Sequence, residues 1–283
     1  MAHPLPLTGE RTLPGVSGEE YWFARHEAAY RWLADAFADR LDGAVVVEAG
    51  SGEGYGAALL RAAGARVVVA LEYDEAAVRH ARSAYPEVVT ARANLAAMPL
   101  AAGSADVLVS LQVIEHLWDL RGFLPDCATV LRPGGLLVVS TPNRPVFSPG
   151  LGRGEKPTNP FHVEELDAEQ LRDLLCATGF ADIDVRGLHH GERITAWERE
   201  TGTGLVAAQV AAALAAGTAA EPSAPATPPR ATGRAVASGV GKQPLDQLHE
   251  GGVPAFVASV TVDDFVVGDA AGSQDLLALA VRP

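Results

Sequence analysis

A run of β-branched residues leads directly into a turn with glycine at every second position. Val45 to Val47 form the run, Glu48 follows them, and the glycines occupy positions 50, 52, 54 and 56. Consecutive valines suit a strand that is buried on both faces, as in a parallel sheet. Glycine has no Cβ and adopts positive φ without steric cost, so such a turn can approach a bound molecule closely. The segment therefore predicts a small-molecule site at the end of a buried strand.

The glycine spacing excludes two common kinds of nucleotide site. The dinucleotide fingerprint G-x-G-x-x-G counted from Gly50 needs a glycine where the chain has Tyr55, and counted from Gly52 it needs one where the chain has Ala57. The phosphate-binding P-loop needs a lysine followed by serine or threonine, and no lysine is near. An acid followed by three alternate glycines remains. A tight strand-to-helix turn without a ligand has the same pattern, and the motif alone leaves that alternative open.

Composition limits the class of protein and its partners. The chain has 283 residues and a formal net charge of −13, which suits one large α/β domain with additions. Nucleic acid is not predicted as a partner, because its binding depends on lysine and arginine that neutralise phosphates. Cys127 and Cys176 show neither paired nor metal-ligand spacing, so the sequence predicts no disulfide framework and no zinc site.

We predict a cytoplasmic protein without a membrane span. The N-terminal residues lack the basic start and the unbroken apolar core of a secretory signal. The longest apolar-rich stretch, residues 205–217, is shorter than the roughly 20 residues that a membrane-spanning helix needs. The oligomeric state is left open by the sequence.

Apolar segments of strand length alternate with helical segments in the first half of the chain. The predicted strands are residues 44–47, 66–71, 88–91, 105–110 and 136–141. This alternation predicts a parallel sheet with helices on both faces. Asp74 and Asp167 are predicted as helix N-caps, because a carboxylate there can accept hydrogen bonds from the first turn of the helix.

The second half of the chain differs from the first in composition and in the spacing of its apolar segments. Residues 149–160 are rich in proline and glycine, which predicts a long surface loop. A sixth strand is predicted over residues 181–188, a helix over 203–216 and a seventh strand over 275–282. Residues 218–247 form an Ala/Pro/Ser/Thr/Gly-rich insertion with few large apolar side chains, for which a flexible, linker-like character is predicted.

Polar residues follow the second, third and fourth predicted strands. In an open α/β sheet the ligand binds outside the carboxyl ends of the strands. Glu72 ends the second strand 20 positions after Gly52, where an acid can accept hydrogen bonds from both hydroxyls of a ribose. Asn94 follows the third strand, and Glu115 and His116 follow the fourth.

Four ordered motifs together resemble the class I S-adenosylmethionine (SAM) methyltransferases. They are the acid-and-glycine motif, the segments 91–100 and 110–117, and the Leu-Arg-Pro-Gly-Gly turn at 131–135. The resemblance is close over residues 43–141 and implies SAM as the cofactor. The chain has Asn94 where that family more often has aspartate, but the amide oxygen can still accept from the adenine amino group. The cofactor-binding residues that the resemblance implies are Glu48, Gly50, Ser51, Gly52, Gly54, Tyr55, Glu72, Tyr73, Asn94, Leu95 and Gln112.

The resemblance also implies a complete fold class. We expect a seven-stranded, mostly parallel Rossmann-like sheet with an antiparallel last strand and a lid insertion between strands six and seven. The predicted segments are an N-terminal cap (1–42), the SAM-binding core (43–190), a helical lid (191–217), the flexible insertion (218–247) and a C-terminal part with the last strand (248–283).

His116 and Glu115 are predicted as the catalytic residues. Methyl transfer to an alcohol requires a base, and a histidine that follows the fourth strand lies near the expected position of the methyl group. The pair can equally shape the cofactor pocket or cap a helix. Asn159, His162 and His189 are predicted to contact the acceptor, with packed loop residues as the alternative. No metal is predicted, because none of the histidines shows metal-ligand spacing, although the sequence does not exclude a magnesium site built from carboxylates.

Further segments suggest the class of acceptor. Five segments resemble actinobacterial methyltransferases linked to methylglucose-type polysaccharides. They are Leu-Thr-Gly-Glu-Arg-Thr, Tyr-Trp-Phe-Ala-Arg-His-Glu, Gln-Val-Ile-Glu-His-Leu-Trp-Asp, Ser-Thr-Pro-Asn-Arg and Asn-Pro-Phe-His. This resemblance implies a sugar or glucan hydroxyl as the acceptor. A methyltransferase of small natural products or quinones and a SAM-binding protein without catalysis are the alternatives.

Overall fold

The computed structural model describes residues 11–217 and 252–283. The insertion predicted at 218–247 lies outside these residues. Contacts divide the chain into two compact units. The smaller unit consists of Met1–Ala28 and His190–Phe265, and the larger unit of Ala29–His189 and Val266–Pro283.

A mixed eight-stranded sheet forms the centre of the fold, in the order β3-β2-β1-β4-β5-β8-β6-β7. Strands β1 to β5 are parallel to one another, and β8 is antiparallel to both β5 and β6. The antiparallel last strand is therefore present as predicted. The strands are β1 Val45–Ala49, β2 Val67–Glu72, β3 Val89–Arg92, β4 Ala105–Leu111, β5 Leu131–Pro142, β6 Ala181–His190, β7 Phe265–Asp269 and β8 Asp275–Val281.

The prediction of seven strands was wrong, because the sheet contains β7 as an additional strand. This strand is five residues long, contains Gly268 and leaves half of Val266 exposed. Its apolar run, Phe265 to Val267, is only three residues long and is followed at once by Gly268 and Asp269. A short edge strand forms because the neighbouring strand offers unpaired backbone groups, and this neighbour is not visible in the local sequence.

Within the larger unit, helices connect parallel strands and pack against the sheet. Two of them begin at the predicted N-caps: Asp74 accepts from the backbone N–H of Ala76 at 2.8 Å, and Asp167 forms a capping box with Gln170. The helices are α1 Glu20–Ala36, α2 Ala38–Leu41, α3 Tyr55–Ala62, α4 Glu75–Ala84, α5 Leu120–Val130, α6 Arg144–Phe147, α7 Ala168–Ala177, α8 Glu192–Thr201, α9 Leu205–Gly217 and α10 Gly252–Val257; single 3-10 turns span Ile114–His116 and Val262–Asp264.

Aromatic and charged contacts hold the smaller unit together. The Trp197 and Phe256 rings stack with their centroids 4.5 Å apart, and Arg193 donates to the buried carboxylate of Asp264. Tyr21 shares a hydrogen bond of 2.8 Å with His190. Residues 191–217 are largely helical as expected, while their role as a lid stays a prediction. Within the described ranges, no helix combines the length and apolar character that crossing a membrane demands.

Gly56 marks the closest approach between α3 and the residues beneath it. A Cβ at this position would lie 2.6 Å from Cε1 of Tyr30 and 2.5 Å from Oε1 of Glu48. Both of these side chains are buried, so neither can move aside easily. The absence of a side chain at Gly56 therefore lets the helix begin directly above the end of β1.

Gly56→Ala is expected to lower the free energy of unfolding by about 1–3 kcal/mol, the usual cost of overpacking a core. Without a steric clash, alanine would stabilise a helix by about 1 kcal/mol relative to glycine. A decrease in the free energy of unfolding would therefore indicate that the new Cβ collides with Tyr30 and Glu48. Denaturant unfolding measures it. Gly152→Ala is the control, because a Cβ there meets no atom closer than 3.6 Å, and a stability change within about 0.5 kcal/mol is expected. Equal effects of the two substitutions would contradict the close approach at Gly56.

Candidate functional site

The turn after β1 has a backbone that only glycine adopts readily. Gly50, Gly52 and Gly54 have φ values of 84°, 55° and 103°. A Cβ at Gly50 would lie 2.5 Å from Cγ2 of Val113, whereas one at Gly52 would meet no atom within 4 Å. The turn is thus packed closely against the chain that follows β4 and faces open space at Gly52.

Glu72, at the end of β2, binds this turn. One carboxylate oxygen accepts from the backbone N–H of Gly52 and the other from that of Asp74, each at 2.8 Å. Each oxygen retains a second lone pair with which it can accept from a ligand. Ser51, between the first two glycines, is buried and its hydroxyl oxygen has no hydrogen-bond partner in the structure. The structure therefore brings Gly52, Ser51 and Glu72, three predicted cofactor-binding residues, to one place.

A second acid anchors the same turn and was missed by sequence analysis. Glu53 is buried, and its carboxylate contacts Nε2 of His80 and accepts from the hydroxyl of Tyr85, each at 2.9 Å. Both partners belong to α4 or to its C-terminal end. No local sequence signal links these residues, because they meet only through the packing of α4 beside the turn.

Glu48 lies beneath the turn and is fully buried. It accepts a short hydrogen bond from the hydroxyl of Tyr30 in α1, and its other carboxylate oxygen has no partner in the structure. Burial raises the pKa of Glu48 to about 8; the Tyr30 hydrogen bond opposes this shift and the charge of Glu72 adds to it. Glu48 therefore supports the turn from below and does not face the open side.

Glu48 is expected to make stability depend on pH. The folded chain keeps the Glu48 proton up to about pH 8, whereas the unfolded chain releases it near pH 4.5. The contribution of Glu48 to the free energy of unfolding is fully present below pH 4.5 and is lost as the pH rises to about 8. The free energy of unfolding falls over this range by up to about 1.4 kcal/mol per pH unit. Denaturant unfolding of wild type and Glu48→Gln between pH 5 and 8 tests this. The free energy of unfolding of the variant should rise relative to that of wild type as pH increases. A constant difference would contradict it.

Glu115, His116 and His162 converge at the carboxyl end of β4. One ligating atom of each lies within 4.8 Å of those of the other two. Nε2 of His116 is 3.9 Å from Oε1 of Glu115, and the two imidazole ring centroids are 5.0 Å apart. The predicted catalytic pair and one predicted acceptor residue thus form a single group, which we call the histidine cluster.

Two neighbours fix Glu115 within the histidine cluster. The hydroxyl of Thr141, on β5, donates to Oε2 of Glu115 at 3.1 Å, and the backbone N–H of Val163 donates to its carbonyl oxygen at 2.7 Å. Burial raises the pKa of the Glu115 carboxyl, and the neighbouring histidines oppose that shift. Thr141 could not be predicted from the sequence, because only the pairing of β5 beside β4 brings it here.

The partners of the two histidines decide which ring nitrogen carries the proton. The backbone carbonyl of Phe161 faces Nδ1 of His116 at 3.1 Å, and a carboxylate oxygen of Glu165 faces Nδ1 of His162 at 2.6 Å. Both partners are acceptors, so each Nδ1 is the donor and each neutral ring keeps its lone pair on Nε2. Glu165 follows His162 by three residues, a spacing that could have identified it from the sequence.

Asn159 completes this arrangement. Its amide nitrogen lies 3.0 Å from Nε2 of His162, and its amide oxygen accepts from the backbone N–H of Phe161 at 3.0 Å. The predicted acceptor residues Asn159 and His162 are therefore brought together beside the predicted catalytic pair.

The remaining predicted residues lie elsewhere along the carboxyl edge. The Asn94 amide oxygen accepts from the N–H of Ala96, Leu95 is buried, and Tyr73 is largely exposed. Gln112, with φ of 54°, donates to Ser140 and Asp275. The centroid of the Tyr55 ring is 5.6 Å from that of Tyr30.

His189 is not part of the histidine cluster. It lies on β6, which β5 and β8 separate from β4, so at the usual strand spacing the two strands are roughly 14 Å apart. Its Nε2 contacts the backbone carbonyl of Asp269 at 2.7 Å.

The chain is similar to known methyltransferases in sequence and in fold. A family model of the methyltransferase domain matches residues 47–139. A probable SAM-dependent methyltransferase of Mycolicibacterium smegmatis is 45% identical over 284 residues, which cover 99% of this chain and 96% of that protein. A ubiquinone biosynthesis O-methyltransferase of Methylocella silvestris is 34% identical over 129 residues, which cover 44% of this chain and 50% of that protein.

Among solved structures, a SAM-dependent methyltransferase from Thermotoga maritima superimposes with a TM-score of 0.55 at 16% identity, covering 93% of this chain and 94% of that one. At such low identity the likeness concerns the fold alone. The similarity to the Mycolicibacterium protein extends over nearly the whole of both chains. Membership of this family does not by itself require a metal. The chain therefore belongs to the SAM-dependent methyltransferases, and SAM is its cofactor.

Proposed function

We propose that this chain transfers the methyl group of SAM to a hydroxyl oxygen of a small-molecule or saccharide acceptor, in the first place a sugar or glucan. The acceptor O–H bond breaks, an oxygen–methyl bond forms, the sulfur–methyl bond breaks, and a base takes the proton. The observation that carries the proposal is the His116 imidazole, which is held beside buried Glu115 at the carboxyl end of β4.

The glycine turn and the end of β2 form the cofactor site in this proposal. SAM supplies an activated methyl group and brings a ribose, an adenine and an amino-acid end that need polar partners. Glu72 would accept from the ribose hydroxyls with its remaining lone pairs, and the hydroxyl of Ser51 would gain the partner that it lacks. The open side of Gly52 leaves room for the close approach, while Glu48 acts through the turn that it supports.

His116 is the proposed general base. The Phe161 carbonyl holds the proton on Nδ1, so Nε2 presents its lone pair to an acceptor hydroxyl. About 29% of the His116 side chain is exposed, which allows the acceptor to reach it. A carboxylate at Glu115 would stabilise the imidazolium that forms when Nε2 takes the proton.

Two observations bear on the acceptor. The segments around the histidine cluster resemble methyltransferases of methylglucose-type polysaccharides, which favours a sugar hydroxyl. The similarity to a ubiquinone biosynthesis O-methyltransferase over 129 residues favours the second candidate, a phenolic or quinol hydroxyl. Trp118 follows His116 by two residues and is 91% exposed, so it offers a flat apolar surface to a ring of either kind.

Glu72→Ala is expected to weaken SAM binding by about 10- to 100-fold, because hydrogen bonds to a charged acceptor contribute about 1.5–3 kcal/mol. Calorimetric titration of the purified chain with SAM measures the Kd. Glu75→Ala is the matched control, since Glu75 lies three residues further on and its exposed carboxylate pairs with Arg79 and Arg92. An unchanged Kd in Glu72→Ala would contradict the ribose contact.

Labelled SAM is expected to give a labelled methyl ether with short glucans. His116→Ala should lower kcat by about 10²- to 10⁴-fold, the usual contribution of a positioned base, while leaving the Kd for SAM unchanged. Radiometric assay with mass detection measures both the product and its methylated atom. Transfer only to phenols or quinols would select the second candidate, and SAM binding without transfer to any hydroxyl would overturn O-methylation.

A further inference from the structure

We infer that Glu115, His116 and His162 form a binding site for a divalent transition-metal cation. The inference stands on the geometry of the histidine cluster alone. A bound cation would occupy Nε2 of His116, so the base role proposed for that nitrogen belongs to the chain without the cation.

The spacing of the ligating atoms suits a single ion. Imidazole nitrogens and carboxylate oxygens bind such cations at about 2.0–2.2 Å, so two ligands of one ion lie about 3–4.4 Å apart. The 3.9 Å between Nε2 of His116 and Oε1 of Glu115 falls within this range. Since all three ligating atoms lie within 4.8 Å of one another, small side-chain adjustments bring them to one ion.

The hydrogen bonds around the two imidazoles are those that metal-bound histidines make. A histidine ligand usually donates its other ring N–H to a backbone carbonyl or a carboxylate, which fixes the ring and the tautomer. His116 has the carbonyl of Phe161 in that role, and His162 has the carboxylate of Glu165. Both rings therefore keep their lone pairs on Nε2, the nitrogen that a cation would use.

Two buried carboxylates favour the binding of a positive charge at the histidine cluster. Glu115 and Glu165 are each no more than 2% exposed, and Oε2 of Glu165 has no hydrogen-bond partner in the structure. A buried carboxylate is costly unless a cation or several hydrogen bonds compensate it. A divalent ion bound by Glu115 and both Nε2 atoms would supply that charge next to Glu165.

The donor set selects the kind of cation. Two imidazole nitrogens and one carboxylate suit Zn²⁺, Mn²⁺, Co²⁺ or Fe²⁺, whereas Mg²⁺ prefers oxygen ligands. Three protein ligands leave a position open for a further oxygen ligand. At present the Asn159 amide nitrogen lies against Nε2 of His162, so a cation would take this lone pair in place of the amide hydrogen.

The decisive experiment titrates the full chain, freed of metal with a chelator, with Co²⁺ and separately with Zn²⁺. Co²⁺ is expected to bind with one equivalent per chain and to develop a visible absorption band. His116→Ala should weaken binding at least tenfold, as should His162→Ala and Glu115→Gln. Asn159→Ala should bind Co²⁺ as tightly as wild type or more tightly, because it removes a competitor for Nε2.

His189→Ala is the matched control, since this histidine lies on β6 outside the histidine cluster and its loss should leave Co²⁺ affinity unchanged. Circular dichroism verifies that each variant is folded. His116→Ala decides the question should His162→Ala fail to fold, because His116 is the more exposed of the two.

Two outcomes would overturn the inference: no saturable binding of Co²⁺ or Zn²⁺, or equal affinity in wild type and His116→Ala. Methyl transfer that is insensitive to the chelator, with no metal uptake, would overturn the cation site and leave the proposed function standing. Stoichiometric Co²⁺ binding without methylation of any hydroxyl would overturn the proposed function and leave the site.

Discussion

The close packing of the turn between β1 and α3 is the constraint on which the candidate site depends. Positive φ at Gly50, Gly52 and Gly54 reverses the chain within a few residues. The missing Cβ of Gly50 lets the turn lie against Val113, and that of Gly56 lets the start of α3 lie over Tyr30. Buried Glu48 supports it from below, His80 and Tyr85 of α4 and its C-terminal end bind Glu53 within it, and Glu72 binds it from β2. The turn is therefore positioned by three elements before any ligand is bound.

The parallel arrangement of β1 to β5 explains why the polar residues meet. Parallel strands place their carboxyl ends on one edge, so residues that are far apart in sequence, such as Glu72 and His116, face the same side. Pairing of β5 with β4 adds Thr141 beside Glu115, and the loop before α7 returns His162 to the same edge. The cofactor turn and the histidine cluster are products of one topology.

Those parts of the fold whose cause is local could be predicted from the sequence. Valine runs predicted β1 and β2, and the side chains of Asp74 and Asp167 predicted two helix starts. Strand β7 could not be predicted, because its formation depends on the free edge of β6, which the local sequence does not show. His189 was predicted as an acceptor residue together with Asn159 and His162, and in the structure β5 and β8 lie between its strand and β4.

The sequence by itself determined the α/β core with its glycine turn, because alternating strands and helices, a glycine turn and an acid 20 positions later are local patterns with few structural solutions. The resemblance of four ordered motifs identified that core as one of the methyltransferase type. Only the tertiary structure decided how the side chains combine. The support of Glu48 by Tyr30 and the approach of His162 to Glu115 join residues separated by many positions. Such contacts follow from strand order and helix packing, and no spacing along the chain encodes them.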